Sequence, residues 1–227
     1  MTATKDNGLM KRAARMYWSF LWKRAAVKAF VYDFRLGIRT REEEPRRRDI
    51  YVGEKDTSVN KDMLAYEGMF YGTLKRMVAR IEPGPDDVFI DLGCGKGRVV
   101  FVMAQQRLRK VIGVELDNSL VSAARRNYAT LRKARTPVEI VHADAAEYRF
   151  TDENIIFMYN PFGPKTMEKV LANLKSSLET NPRPIRVLYY NPHQKAVLDS
   201  QDWLRLDSGS PKDKAVFYSN APSIARS

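Results

Sequence analysis

Residues 88–100 read VFIDLGCGKGRVV, a run that opens as a strand, ends on an acid and turns through glycines into an apolar segment. Val88, Phe89 and Ile90 have the β-branched and aromatic character of a strand covered on both faces, and Val99 to Ala104 suits a helix. Asp91, Gly93, Gly95 and Gly97 therefore stand in a strand-to-helix loop. Glycines there let the backbone come close to a ligand, and the amides at the start of a helix favour polar or anionic groups. A nucleotide-like cofactor is the natural occupant. The spacing narrows the choice. A dinucleotide fingerprint runs G-x-G-x-x-G, but here the glycines run G-x-G-x-G and Arg98 holds the place of the third.

Two later strands end the same way. KVIGVE, Lys110 to Glu115, closes on an acid about 20 residues past the glycine loop, where nucleotide-binding α/β folds set a carboxylate against ribose hydroxyls. VEIVHAD, Val138 to Asp144, closes on a third acid. Strand-ending acids also cap helices, and for Asp144 both readings stand.

Asp-x-Gly-x-Gly-x-Gly, followed by Glu115 and Asp144, resembles the pattern of the class I S-adenosylmethionine-dependent methyltransferases. The resemblance covers residues 60–220. It implies a site for S-adenosyl-L-methionine, with S-adenosyl-L-homocysteine as product, formed by Asp91, Gly93, Cys94, Gly95, Gly97, Glu115, Leu116, Asp144, Ala145 and Asn160, and it calls for no metal. Cys94 reads as a small residue filling a tight loop, since a lone thiol carries no motif and no histidine stands near it in sequence. His142 reads as near the adenine or as core.

From residue 60 onward helix and strand signals alternate, which means a doubly wound, mostly parallel α/β sheet. Strands fall at NIIFMY (154–159) and IRVLYY (185–190), with PKTMEKVLANLKSSLE as the helix between them. Two short strands around a Gly-Ser-Pro turn end the chain and resemble the last pair of a seven-stranded class I sheet. The expected division is a basic, aromatic helical extension with its linker over 1–57, and a methyltransferase domain over 58–227. At the junction, residues 58–81 read as a helix pair, and by the family resemblance Tyr66, Glu67 and Tyr71 reach toward the methyl donor.

The chemistry is expected at Tyr159-Asn160-Pro161-Phe162, which resembles motif IV of the amino-group methyltransferases, with one proline where that motif has two. An Asn carboxamide oxygen and nearby carbonyls can accept hydrogen bonds from an amine and aim its lone pair at the methyl group. Phe162 would wall that pocket. A second Tyr-Asn-Pro at 190–192, followed by His193, ends the next strand and faces the same crevice. Tyr190, Asn191 and His193 are thus candidate acceptor residues, Tyr190 together with Tyr159 and Tyr189 through cation–π attraction and the histidine as a proton relay.

The chain has 227 residues, a formal charge of +12 and one cysteine. One sizeable domain fits that length, and the absence of any cysteine pair points to a reducing, cytoplasmic setting. Residues 1–50 hold 13 Lys or Arg against 6 Asp or Glu, so most of the positive charge sits on the extension. Its longest apolar run, Met16 to Trp22, falls far short of the roughly 20 residues a bilayer requires. Tyr17, Trp18, Leu21, Trp22 and Ala25 share a helical stripe, which suits packing on the domain, a membrane surface or an acidic partner. The preferred activity is N-methylation of a protein lysine or a small amine. An RNA methyltransferase using the basic extension, and a cofactor-binding regulator without turnover, are the alternatives.

Overall fold

The computed structural model describes residues 23–41, 69–210 and 214–220. Helix α1 covers residues 23–36. After it come α2 (Tyr71–Ile81), β1 (Val88–Leu92), α3 (Arg98–Met103), β2 (Lys110–Glu115), α4 (Asn118–Thr130), β3 (Val138–His142), β4 (Ile155–Tyr159), α5 (Pro164–Thr180), β5 (Arg186–Tyr190), α6 (Lys195–Asp199), β6 (Arg205–Ser210) and β7 (Ala215–Ser219). The seven strands lie in the order β3-β2-β1-β4-β5-β7-β6. The first five pair in parallel, and β7 runs antiparallel to both β5 and β6.

The order reverses between β1 and β4, so the carboxyl ends of these neighbours open a crevice at the switch point. Alternation along the strands builds two cores. Val88, Ile90, Leu92, Ile156 and Met158 point to the α5 side with Val170, Leu171 and Leu174. Phe89, Ile155 and Phe157 point to the other side, where Val100, Phe101, Leu74 and Leu36 meet them. Strand β2 joins the same scheme, with Gly113 facing Cys94 and Val100: a Cβ there would lie 2.8 Å from the Cys94 sulfur.

The described part of the extension does not stand apart from this core. Leu36, Ile38 and Thr40 are buried, Tyr32 stacks on Tyr71 at 4.7 Å, and the Asp33 carboxylate accepts from Tyr71 Oη (2.5 Å), Thr40 Oγ1 (2.9 Å) and the Thr40 amide (2.7 Å). Of the aromatic stripe at 17–25 only Ala25 lies within the described residues, and the first part of the expected helix pair at 58–81 lies outside them. No helix of the described residues is long and apolar enough to cross a membrane.

Candidate active site

Strand β1 delivers the glycine loop into the crevice. The Gly93 and Cys94 amides both donate to the Val114 carbonyl at 2.9 and 3.0 Å, and the Gly97 amide closes the turn on Cys94 O at 2.9 Å. The loop is clamped from the next strand. Glu115 Oε2 accepts the Gly95 amide at 2.8 Å, while Oε1 accepts those of Leu116 and Asp117, each at 2.9 Å. Oε2, with one amide, keeps a further acceptor site, so Glu115 can hold the loop and still receive a hydroxyl group. Burial raises its proton affinity even though the three amides pull the other way.

Asp91 differs from Glu115 in having nothing to hold. It is 2% exposed, and its carboxylate makes no hydrogen bond among the described residues. Burial, and then the neighbouring Glu115 charge, push its pKa well above the usual carboxylate range. No side-chain oxygen is sealed away without a partner among the described residues, so the Asp91 oxygens keep a sliver of exposure through which a cationic or N–H-rich ligand at the loop would meet them. Cys94 is buried as well, and burial pushes its thiol up, away from the thiolate a nucleophile needs.

On the other wall lie the residues expected to meet the adenine. Leu116, Ala143, Asp144, Ala145, Phe162 and Thr166 line a narrow cleft with Gly93 and Glu115. Asp144 caps the short 3-10 turn at Ala145–Glu147, its Oδ1 accepting the Ala146 amide at 2.8 Å, so the capping reading describes one of its two oxygens. His142 is not a core residue: it is exposed on the edge strand β3 and its Nε2 lies 3.0 Å from the Leu116 carbonyl.

Asn160 follows β4 with φ +40°, in the left-handed region. Asn tolerates that conformation better than most side chains. Its Oδ1 accepts from the Tyr189 hydroxyl at 3.2 Å, and that hydroxyl in turn accepts the Gln194 amide at 3.1 Å. Tyr189 is fully buried, and burial keeps its hydroxyl protonated and able to donate. Pro161 joins this turn to the glycine loop: a Cβ added to Gly93, which itself has φ +82°, would fall 2.6 Å from the Pro161 Cβ. Only glycine allows the two turns to pack back to back. Phe162 is buried behind them, 4% exposed.

The second Tyr-Asn-Pro takes an equivalent place on β5. Tyr159 and Tyr190 are register partners and meet edge to face, with centroids 4.7 Å apart. Asn191 also has positive φ, +50°, but its backbone is tied toward β7, the amide donating to Lys214 O at 2.8 Å. His193 is exposed beyond it. Tyr71 spends its hydroxyl on Asp33, and Tyr66 and Glu67 lie outside the described residues.

Three residues emerge here that sequence reasoning does not single out for these contacts. Arg98, in the slot of a third fingerprint glycine, is 7% exposed. Its guanidinium donates to Thr40 Oγ1 (2.8 Å), Thr40 O (2.9 Å) and Met69 O (2.9 Å), tying residues 33–40 to the loop. Asn127 of α4 acts similarly, its amide group donating to Arg39 O and Lys96 O at 3.1 and 3.0 Å. Tyr189 is the third: the sequence offers it as an aromatic face, and its hydroxyl bond to Asn160 has no signal beyond the repeated Tyr-Asn-Pro beside it. Among the described residues no three His, Cys, Asp or Glu side chains are grouped to hold a metal ion.

Residues 91–195 match the model of the ANTKMT methyltransferase domain. The chain is 30% identical over 150 residues to a histone-lysine N-methyltransferase, H3 lysine-79 specific, of Dictyostelium discoideum, which covers 56% of this chain and 8% of that protein. It is 31% identical over 109 residues to a probable ribosomal RNA small subunit methyltransferase A of Methanosarcina mazei, covering 48% of this chain and 33% of the relative. The chain thus spans a third or less of the length of these two relatives. Among solved structures, an RNA methyltransferase from Salinibacter ruber in complex with S-adenosyl-L-homocysteine is similar with a TM-score of 0.49 and 23% identity, over 67% of this chain and 92% of that one.

Proposed function

The chain belongs to the class I S-adenosylmethionine-dependent methyltransferases, and from that premise we propose that it methylates an amine nitrogen, of a protein lysine or a small molecule, by direct in-line transfer. The observation that carries this reading is Asn160: a carboxamide fixed in a left-handed turn, packed through Pro161 on the glycine loop and flanked by the Tyr159–Tyr190 pair.

The residues fit the cofactor. Asp91 offers a buried carboxylate in want of a cation, Gly95 offers bare backbone at φ +55°, and the cleft from Leu116 to Phe162 offers an apolar wall beside Asp144. When bound, S-adenosyl-L-methionine supplies an activated methyl group on a good leaving group. The protein then has to position the acceptor and exclude water. Asn160 Oδ1 accepts a hydrogen bond from the amine, and the faces of Tyr159 and Tyr190 favour a group with positive character. An alkylamine with a pKa near 10.4 must first lose a proton, and the positive charge that then develops on its nitrogen as the methyl group arrives is what the tyrosine faces favour.

The relative named for histone lysine supports a protein acceptor. The relative named for ribosomal RNA favours a second reading, an RNA nitrogen recruited by the basic surface. Purified protein incubated with methyl-labelled S-adenosyl-L-methionine and a lysate separated into protein, RNA and small molecules decides between them. Label in protein or in small amines is the expected result. Label confined to RNA supports the second reading, and cofactor binding with no label transferred supports a regulator.

A further inference from the structure

Helix α1 shows the solvent a face that a helix packed on a domain ordinarily hides. Val27, Phe30, Val31 and Phe34 are 63%, 55%, 45% and 68% exposed. They stand at i, i+3, i+4 and i+7, one continuous stripe of a helix. The opposite face is the one that packs: Ala29, Tyr32 and Leu36 join the core and Asp33 is buried. Phe30 and Phe34 stack on each other at 6.4 Å, so the outer stripe is a contiguous apolar surface.

Along the described residues of this segment the free charge has one sign. Residues 23–41 contain Lys23, Arg24, Lys28, Arg35, Arg39 and Arg41, and Asp33, the acid among them, is consumed by Thr40 and Tyr71. Arg24, Lys28 and Arg35, at i, i+4 and i+11, follow one border of the stripe. Across a cleft from Arg24 and Lys28 stand Phe70, itself 45% exposed, and Arg76, so the same composition continues onto the start of α2.

We propose that this face of α1 docks on an anionic lipid surface, with Val27, Phe30, Val31 and Phe34 entering the headgroup boundary and the bordering Lys and Arg side chains meeting lipid phosphates. The stripe is a convex face on a single helix, which suits a deformable bilayer boundary, and long basic side chains can keep their stems in the apolar layer while their charges reach the headgroups. A second copy of the chain fits poorly, because pairing two such faces sets like-charged borders against each other. This proposal concerns a surface outside the Asn160 site and does not depend on the methyl acceptor.

The test is co-flotation of the full chain with vesicles of phosphatidylcholine alone and of phosphatidylcholine containing about 30% phosphatidylglycerol, a content that sets a substantial negative surface potential. Binding to the anionic vesicles, weakened by salt and much lower on neutral ones, is expected. Phe30→Ser/Phe34→Ser should reduce it about tenfold or more with an unchanged melting temperature, since both rings are exposed. Lys28→Glu/Arg35→Glu should reduce it on anionic vesicles only. The proposal fails if wild type does not float with anionic vesicles at low salt, if both double variants float as wild type does, or if light scattering shows a dimer that Phe30→Ser/Phe34→Ser dissolves.

Discussion

The glycine loop and the Asn160 turn pack against each other, Gly93 on Pro161, yet they are built in different ways. The loop is backbone held by backbone and by two side chains, Glu115 after β2 and Asn127 on α4, whose amide donates to Lys96 O. The Asn160 turn is one side chain held by another, Tyr189, across 29 positions of sequence. A site fixed by main-chain geometry constrains its ligand wherever the motif occurs. One fixed by side chains can be retuned residue by residue, which suits the acceptor role proposed for it.

The harshest way to break the cofactor half is Gly95→Val. The residue has φ +55°, so any side chain is strained there by about 1–2 kcal/mol and also occupies the space where a ligand meets the backbone. Calorimetry should show S-adenosyl-L-methionine affinity falling about 100-fold or more, a loss of ~2.7 kcal/mol, while the protein still melts cooperatively. Affinity within a few-fold of wild type would mean that the loop is a turn and not the cofactor site.

The proposed acceptor half breaks at Asn160 by the opposite signature. Asn160→Gly removes the carboxamide and keeps the left-handed backbone without strain, so it isolates the side chain better than Asn160→Ala. Both should leave cofactor affinity nearly unchanged and lower kcat by roughly 100-fold, as when a positioning contact is lost. Asn160→Asp keeps an acceptor oxygen and should retain partial activity. If all three turn over like wild type, the acceptor is held elsewhere, with the Tyr190-Asn191-Pro192 turn next in line.

The same contrast explains what can be read from the sequence. The strands, the glycine loop and Glu115 are legible because a buried parallel strand, a strand-ending acid and a glycine spacing are local signals. Asp144 is ambiguous in sequence, and in the fold it is a cap with one oxygen to spare. Helix α6 leaves no trace because five residues carry no periodicity. Tyr189 looks like any strand tyrosine, and its bond to Asn160 exists only because β4 and β5 pair in register with Met158 beside Tyr189. Arg98 stands out in sequence only as a departure from the dinucleotide pattern. Its partners Thr40 and Met69 lie 58 and 29 residues away, beyond any local pattern, so the burial of Leu36, Ile38 and Thr40 has no local signal.

Acidity sharpens the comparison further, because the raised carboxyls lie in the cofactor half. Asp91 keeps its proton in the folded protein at pH values where the unfolded chain has lost it. The free protein therefore loses stability as pH rises from the ordinary carboxylate value of 3.8 toward the raised one. A cationic ligand favours the carboxylate, so cofactor affinity should climb over that window by up to about tenfold per pH unit, one proton being released. Below about pH 7 the ligand's own amino group stays charged, which keeps the titration clean. Asp91→Asn should flatten the profile and raise the melting temperature of the free protein. A profile equally steep in Asp91→Asn would assign the proton to Glu115 instead.

The smallest effect expected comes from the hydroxyl behind Asn160. Tyr189→Phe removes the donor to Asn160 Oδ1 and the acceptor of the Gln194 amide. The unpaired amide costs about 1–3 kcal/mol of stability, so kinetics must be read well below the new melting temperature. There kcat should fall about threefold to tenfold, since the carboxamide is present but less firmly aimed, with cofactor affinity unchanged. The decisive comparison is the double variant. If Tyr189 acts through Asn160, then Tyr189→Phe in an Asn160→Gly background should lower kcat no further, whereas independent roles would multiply. Multiplicative losses would detach Tyr189 from the acceptor site and leave Asn160 to be oriented by its left-handed backbone alone.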